Sequence, residues 1–541
     1  MKNKRFDKNH KSSFKKNDRD NARSVEARIK DIMHTSTGQK FVLKGIVDRI
    51  VQTGGPTVFH VTDGTGMLAL KAFEGAGIRS FSNIKEKDVV KAEVRIEEYR
   101  DELEGNIINF TKLADQEKKD FLDQLKNTER ERAAITPPEF LIKSTILDKL
   151  RNDFIKAATE IRLAIIQNRP IIIRHHNDTD GYSSGFALER AIVPLVEEQH
   201  GGGKSAWEFF TRAPCAAPFY EIEDSIKDTA KSLSNEAKFS NKMPLVIISD
   251  NGSSQEDLLG IQQGKVHGVD FIVVDHHFFE KDVVSKEVLV HINPFLVGED
   301  GAKFSAGMLC TELARFINPD VKNVEQIAAM AGMADRITLA NLDAVEQYVK
   351  IAEKHEYSRY LLGDISTVID FVSSKLRFME AREYIEVLFG EPKDKQKALV
   401  GLMAPYIRNL EFKGLEIAKS AAVLEKIGAT SLQLLPIEET FSRGFYPKPG
   451  KCTGLLHDYL KEEKKVTNLV TAGVLSDAIT MRATDGANFS VHKLIEFLNK
   501  KVPSAFVQGG GHKNAGAISF VPRKKEEVLK YLREFIKNGS K

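Results

Sequence analysis

Apolar and polar positions first alternate over short runs. Residues 41–51 and 57–63 read as strands, separated by the turn Thr53-Gly-Gly-Pro56. Asp63-Gly-Thr-Gly66 then leads into a run at 67–73, and residues 88–99 and 106–111 supply further strands. Several short strands within 36–115 predict a small all-β barrel. Residues 116–139 are highly charged and helix-compatible, and the Thr136-Pro-Pro138 stop marks them as a linker. From 140 the pattern changes. A helical period over 146–167 precedes a continuous apolar strand at 170–174, with further strands at 207–211, 244–249, 270–274 and 288–292 and helical segments between them. That alternation predicts a doubly wound, mostly parallel α/β sheet over 140–360. A helical connector over 361–429 follows, then a smaller α/β domain over 430–541 with strands at 469–475 and 515–521 and helices at 491–500 and 525–538.

Composition narrows the class. The 541 residues are 42% hydrophobic and 29% charged, as in ordinary globular chains. The longest apolar runs are strand-length, well short of the ~18 residues needed to cross a bilayer, so no membrane partner is expected. The Lys- and Asn-rich start has no apolar core, so no signal peptide is expected. Cys215, Cys310 and Cys452 are widely spaced and odd in number, which fits a reducing, cytoplasmic setting rather than a disulfide framework. Net charge is +3, but residues 1–23 hold nine Lys/Arg against three Asp and so carry +6, leaving −3 on the rest. Such a tail is expected to be disordered, and it is either a nucleic-acid-binding arm or a solubilising segment.

The chemistry gathers where the α/β strands end. The strand at 170–174 runs into His175-His-Asn-Asp-Thr-Asp-Gly181, that at 244–249 into Asp250-Asn-Gly252, and that at 270–274 into Asp275-His-His277. Ligands of open parallel sheets collect outside the carboxyl ends of the strands, so these acids and imidazoles are expected in one cluster. A mixed oxygen and nitrogen donor set suits Mg²⁺ or Mn²⁺ and two-metal phosphoester hydrolysis. A single Asp after a strand is ordinarily a helix cap. Three strand ends together favour metal, because clustered carboxylates without cations repel one another.

His176-Asn-Asp-Thr-Asp-Gly181, Asp250-Asn-Gly252, Asp275-His-His277 and Gly332-Met-Ala-Asp-Arg336 resemble, in order, the four motifs of the DHH phosphoesterase superfamily. Gln508-Gly-Gly-Gly-His-Lys-Asn-Ala-Gly516 is similar to the glycine-rich signature of that superfamily's C-terminal substrate-binding domain. The order of 36–115, strand, Gly-Pro turn, strand, Asp-Gly-Thr-Gly, strand, resembles an OB-fold. An OB-like domain ahead of a DHH core looks most like the archaeal RecJ-type nucleases.

The resemblance implies roles residue by residue. His176 and Asp178 would hold one divalent cation. Asp180, His276 and Asp335 would hold a second, with Asp250 bridging. His277 would contact the scissile phosphate, and Asp275 would orient the neighbouring histidines. Two cations would activate a water and stabilise the transition state. Where bacterial RecJ proteins usually carry Asp, this chain has His176, which should favour Mn²⁺ over Mg²⁺. Bacterial RecJ places its OB domain after the catalytic core, so strand polarity does not carry over. In the C-terminal domain, Gly509, Gly510 and Gly511 form a candidate anion cradle, and His512 and Arg482 are candidate phosphate contacts. The triplet in His200-Gly-Gly-Gly-Lys-Ser205 is not a phosphate loop, because Glu198 stands where a Walker motif needs Gly.

On the barrel, Phe59, Phe73 and Tyr99 are candidates to stack bases, with barrel core the alternative for each. Lys71, Arg79 and Arg95 are candidate phosphate contacts. The expected function is a Mn²⁺- or Mg²⁺-dependent exonuclease on single-stranded DNA or RNA in replication or repair. The alternatives are a phosphodiesterase of dinucleotides and short oligonucleotides, and a RecJ-like scaffold docking on replication or repair proteins. The filled set of carboxylates favours an enzyme.

Overall fold

The computed structural model describes residues 24–99, 102–200, 208–215, 217–239, 242–376, 382–442 and 444–539. The basic tail 1–23 and the triplet at 201–203 lie outside them. The chain divides into two units, one built on residues up to 134 and the other on the remainder.

The first unit is the expected barrel. Lys40–Gln52 pairs antiparallel with Thr57–Thr62, which pairs with Met67–Ala72; Glu102–Lys112 joins that strand in parallel, and Val89–Tyr99 closes the ring onto Lys40–Gln52. The inward positions of the alternating pattern, Leu43, Phe59, Val61, Leu70, Ala92, Val94 and Ile96, form its core. A register shift between Val47 and Arg49 bends the long first strand. The segment read as a linker contains a helix, Asp115–Ala133, which buries Phe121 and Leu125 against Val89 and Leu113. Arg132 donates to the Gly64 carbonyl at 2.6 Å. The charge density of this helix masks a narrow apolar stripe on one face.

The second unit centres on a five-stranded, fully parallel sheet in the order Val290–Ile292, Asp270–Val274, Leu245–Ser249, Ile171–His175, Phe210–Pro214. Its strands are predominantly apolar because both faces are covered. Ile171, Ile173, Leu245, Ile247, Ile272 and Val274 face a large core with helices Thr145–Ile166, Thr179–His200 and Ala306–Ile317. Ile172, Val246, Ile248, Phe271 and Val273 face the other side with Tyr220 and Ile261. After Ile171–His175 the chain adds Phe210–Pro214 on one side and then crosses to Leu245–Ser249 on the other. The crevice left by that reversal is the usual ligand position in such sheets.

Helices Glu325–Ala334, Leu342–Lys354, Arg359–Leu376 and Lys393–Ala421 follow. The C-terminal sheet has six strands, in the order Val423–Ile427, Thr430–Pro436, Leu469–Val474, Ala478–Ala483, Ala515–Ser519, Gln508–His512. Helices Val491–Lys501 and Lys525–Asn538 pack on it through Leu494, Leu498, Leu532 and Phe535. Among the described residues no helix is long and apolar enough to cross a membrane.

Candidate metal centre and cleft

The three strand ends meet at the switch point. His176, Asp178 and Asp180 leave Ile171–His175, Asp250 leaves Leu245–Ser249, and Asp275, His276 and His277 leave Asp270–Val274. Asp250 adopts a left-handed backbone with φ 59°, followed by Gly252 at φ 102°. Asp is among the non-glycine residues that enter this left-handed region most readily, and here the turn aims its carboxylate into the cluster.

Ligating atoms of His176, Asp178 and Asp250 lie within 4.8 Å of one another, and so do those of Asp180, Asp250 and His276. Asp250 therefore belongs to both groups. Its Oδ2 is 3.6 Å from His176 Nδ1 and its Oδ1 is 3.4 Å from His276 Nε2. Asp335, at the end of helix Glu325–Ala334, places Oδ2 3.6 Å from His276 Nε2. All six candidate ligands thus converge. Asp250 Oδ2 and His276 Nε2 are buried without a well-formed hydrogen bond. Buried polar atoms are normally satisfied, so these two mark a place for another partner.

Several of these groups are held from behind. Both oxygens of Asp180 accept backbone N–H groups of Ala306 and Gly307, at 2.9 and 3.0 Å, at the start of helix Ala306–Ile317. A side chain at 307 would come within 2.8 Å of Asp180 Oδ1. Asp178 accepts from Gly181 N at 3.0 Å. Asp275 Oδ1 accepts from His276 N, His277 N and His277 Nδ1 at 2.8, 3.2 and 2.8 Å, and so sets both imidazoles. His276 Nδ1 donates to the Gly301 carbonyl at 3.1 Å, which leaves Nε2 aimed at the carboxylates. These supports, Ala306, Gly307 and Gly301, were not found by reading the sequence, because backbone donors carry no residue signature.

The electrostatics fit a site for cations. Burial, with Asp250 and Asp335 close by, pushes the Asp180 carboxyl well above its usual range. Burial likewise raises Asp335 to about 6, with His276 opposing and Asp250 adding to it. Burial disfavours a charged His276, but Asp335, Asp180 and Asp250 outweigh it and hold the ring's pKa up. Carboxylates crowded in this way repel until positive charge joins them. Oxygen and imidazole donors together suit Mg²⁺, Mn²⁺ or a similar divalent ion.

Two lobes of a cleft, of about 600 and 640 Å³, meet at His176, Asp178, Asp335 and Arg482. The first is lined by Lys448, Lys451, Tyr446 and Asp370. The second is lined by His277, Phe219, Gly509, Gly510, Gly511 and His512. Lys448 and Lys451 were not singled out from the sequence; their Pro-Lys-Pro-Gly-Lys setting is the only signal. The Gly509-Gly-Gly511 triplet is not a turn-like nest but part of the outermost strand of its sheet, Gln508–His512. A Cβ at 509 would lie 2.2 Å from the Ala517 carbonyl oxygen, so close approach to the neighbouring strand demands glycine there. His512 stacks on His277, with ring centroids 5.1 Å apart.

The description "DHH family, N-terminal domain" fits residues 170–337, which span every strand-end motif and Asp335. An uncharacterized protein of Methanocaldococcus jannaschii is 35% identical over 544 residues, covering 95% of this chain and 71% of its own. The chain belongs to the DHH family. The solved DHH domain of a protein assigned to a family of ribosomal proteins is 33% identical to this DHH protein and superposes with a TM-score of 0.74, covering 78% of this chain and 99% of its own. RecJ of Thermus thermophilus, solved with Mn²⁺, is 17% identical with a TM-score of 0.47 over 76% of this chain and 57% of its own. This DHH phosphoesterase carries its cluster of acidic and imidazole residues at the crevice of its parallel sheet, within the matched range.

On the barrel the candidates separate. Phe59 is not available to stack a base: its ring is fully buried against Phe81 and Phe110. Its inward place in the alternation makes it core. Phe73 and Tyr99 are 66% and 52% exposed. Lys71 pairs with Glu104 and lies 4.6 Å from the Tyr99 ring centroid. Arg79 donates to the Ile84 carbonyl at 3.0 Å, and Arg95 is half-buried on Val89–Tyr99.

Proposed function

We propose that this DHH phosphoesterase is a divalent-cation-dependent exonuclease acting on single-stranded nucleic acid. The observation that carries the reading is that Asp250 is shared by the His176–Asp178 group and the Asp180–His276 group, with a buried Oδ2 that lacks a well-formed hydrogen bond. His176 and Asp178 would hold one cation, Asp180, His276 and Asp335 the other, and Asp250 both. When bound, the cations supply an activated water and charge stabilisation at the phosphorus.

The chain's own groups do the rest. Asp275 accepts the Nδ1 proton of His277 and, against the effect of burial, keeps that ring's pKa raised, so Nε2–H is free to donate to a phosphate oxygen. His512, stacked on the same ring, and Arg482, shared by both lobes, bracket the phosphate from the C-terminal domain. Each lobe has the volume of a small-ligand site. One would take the terminal nucleotide and the other the next one along the strand. Exposed Phe73 and Tyr99 give the barrel a sequence-tolerant surface for further bases.

End-labelled DNA and RNA strands incubated with Mn²⁺ test this reading. Stepwise release of mononucleotides by the wild type, and loss of at least a thousandfold in rate for Asp250→Ala with strand binding retained, are expected. Near-normal turnover in Asp250→Ala, or cutting only at internal positions, would overturn it.

A further inference from the structure

Behind the first metal-motif loop lies a chain of buried polar groups, His175, Arg212 and Glu189, that line neither lobe of the cleft. Arg212, on Phe210–Pro214, donates through Nε to Glu189 Oε2 at 2.5 Å, and both side chains are almost wholly buried. Its Nη1 lies 3.4 Å from His175 Nε2. His175 is completely buried, and its Nδ1 lies 2.7 Å from the carbonyl oxygen of His176. A carbonyl accepts and a guanidinium donates, so the geometry allows one arrangement of the ring: the proton on Nδ1, the lone pair on Nε2. The chain is built around this contact. A Cβ at Gly185 would sit 2.7 Å from His175 Cδ2 and 3.0 Å from Arg212 Cδ, so glycine opens the space in which the two meet. Gly181 also lies close to the His176 carbonyl, where a Cβ would come within 2.1 Å of that oxygen.

We propose that Glu189 and Arg212 are positioning residues that fix the His175 tautomer, and through it the backbone of His176, so that the His176–Asp180 loop is set for cation binding before any cation arrives. The inference rests on the metal reading above. Glu189 anchors Arg212; Arg212 occupies Nε2 of His175; His175 then has only Nδ1–H to give, and gives it to the loop. A fully buried ion pair is a weak source of stability compared with apolar residues of the same volume. Specificity of geometry at a metal loop is a use it does serve, because groups behind first ligands govern their orientation.

Two measurements on the full-length protein test the proposal. Long-range ¹H–¹⁵N correlation spectra, with His175 assigned by the signal lost in His175→Asn, should show a neutral Nδ1–H ring at pH 7. An Nε2–H or doubly protonated ring would overturn the proposal. Mn²⁺ affinity is read separately from free-ion electron paramagnetic resonance. Glu189→Gln/Arg212→Met, which removes both charges together, should weaken binding at least tenfold. His175→Asn, which keeps an N–H near the Nδ1 position, should stay within about threefold of wild type. Lower melting temperatures with unchanged Mn²⁺ affinity would show a merely structural pair and overturn the positioning role. Should the double variant fail to fold, the wild-type tautomer decides alone. A wild type that binds no Mn²⁺ would sink the metal reading itself, whereas normal wild-type binding with an unaffected double variant would sink only this inference.

Discussion

His277 and His512 stack with an interplanar angle of 22°, although 235 positions separate them in the chain, His277 lying just after strand Asp270–Val274 of the parallel sheet and His512 in the last strand of the C-terminal sheet. The contact brings the C-terminal glycine-rich strand onto the DHH motif. His512→Ala is therefore expected to lower the rate of strand cleavage by about a hundredfold, the usual loss when one donor to a developing charge is removed. Mn²⁺ affinity should stay unchanged, because His512 is not among the proposed ligands. Equal loss of metal binding and turnover would place His512 in the metal site instead.

Asp335 yields a prediction for the cation-free protein. Its folded pKa, raised by burial to about 6, exceeds the usual value of 3.8, so ionisation weakens the fold. The stability this group contributes is complete below about pH 4 and lost as pH rises to about 6. Asp335→Asn should thus be more stable than wild type at pH 7.5 without metal, by roughly 1–3 kcal/mol. The advantage should vanish near pH 4. Adding Mn²⁺ should reverse the order, since only the wild type keeps the ligand. Thermal melts at both pH values, with and without Mn²⁺, check all three signs.

On the barrel, one family of substitutions should divide in two. Phe73→Ala and Tyr99→Ala are each expected to weaken single-strand binding by about 1–3 kcal/mol with little change in melting temperature. Phe59→Ala should cost about 3–5 kcal/mol of stability, because it empties a core position. Fluorescence titration and thermal melts separate the outcomes. Unchanged affinity in both exposed-aromatic variants would return this face to the solvent.

Residues 1–23 carry a charge of +6. If they contact phosphates, deleting them should flatten the dependence of log affinity on log salt by about 0.7 per lost contact. An unchanged slope would leave the tail a solubilising segment.

What could be read without coordinates depended on how local the signal was. Asp250 and Asp275 follow their strands directly and Asp178 comes three residues after its own, so their convergence follows from the order of strands and the crevice rule. Asp335 ends a helix far along the chain and was reached only through its Gly332–Arg336 resemblance. Arg212 and Glu189 look like ordinary surface charges in sequence; only the fold buries them together. Strands Val423–Ile427 and Thr430–Pro436 were absorbed into a segment with helical character on one side, and Gln508–His512 was hidden by glycines that strands ordinarily avoid. The apolar stripe of Asp115–Ala133 was outnumbered by its charges.

The central claim, that Asp250 joins two cation sites, is tested most directly by anomalous diffraction from crystals of the full-length protein grown with Mn²⁺. The account predicts two anomalous peaks in one cluster, one beside His176 and Asp178, the other beside Asp180, His276 and Asp335, with Asp250 touching both. A single peak that leaves Asp250 out, or none at these residues while Mn²⁺ supports cleavage, would contradict it.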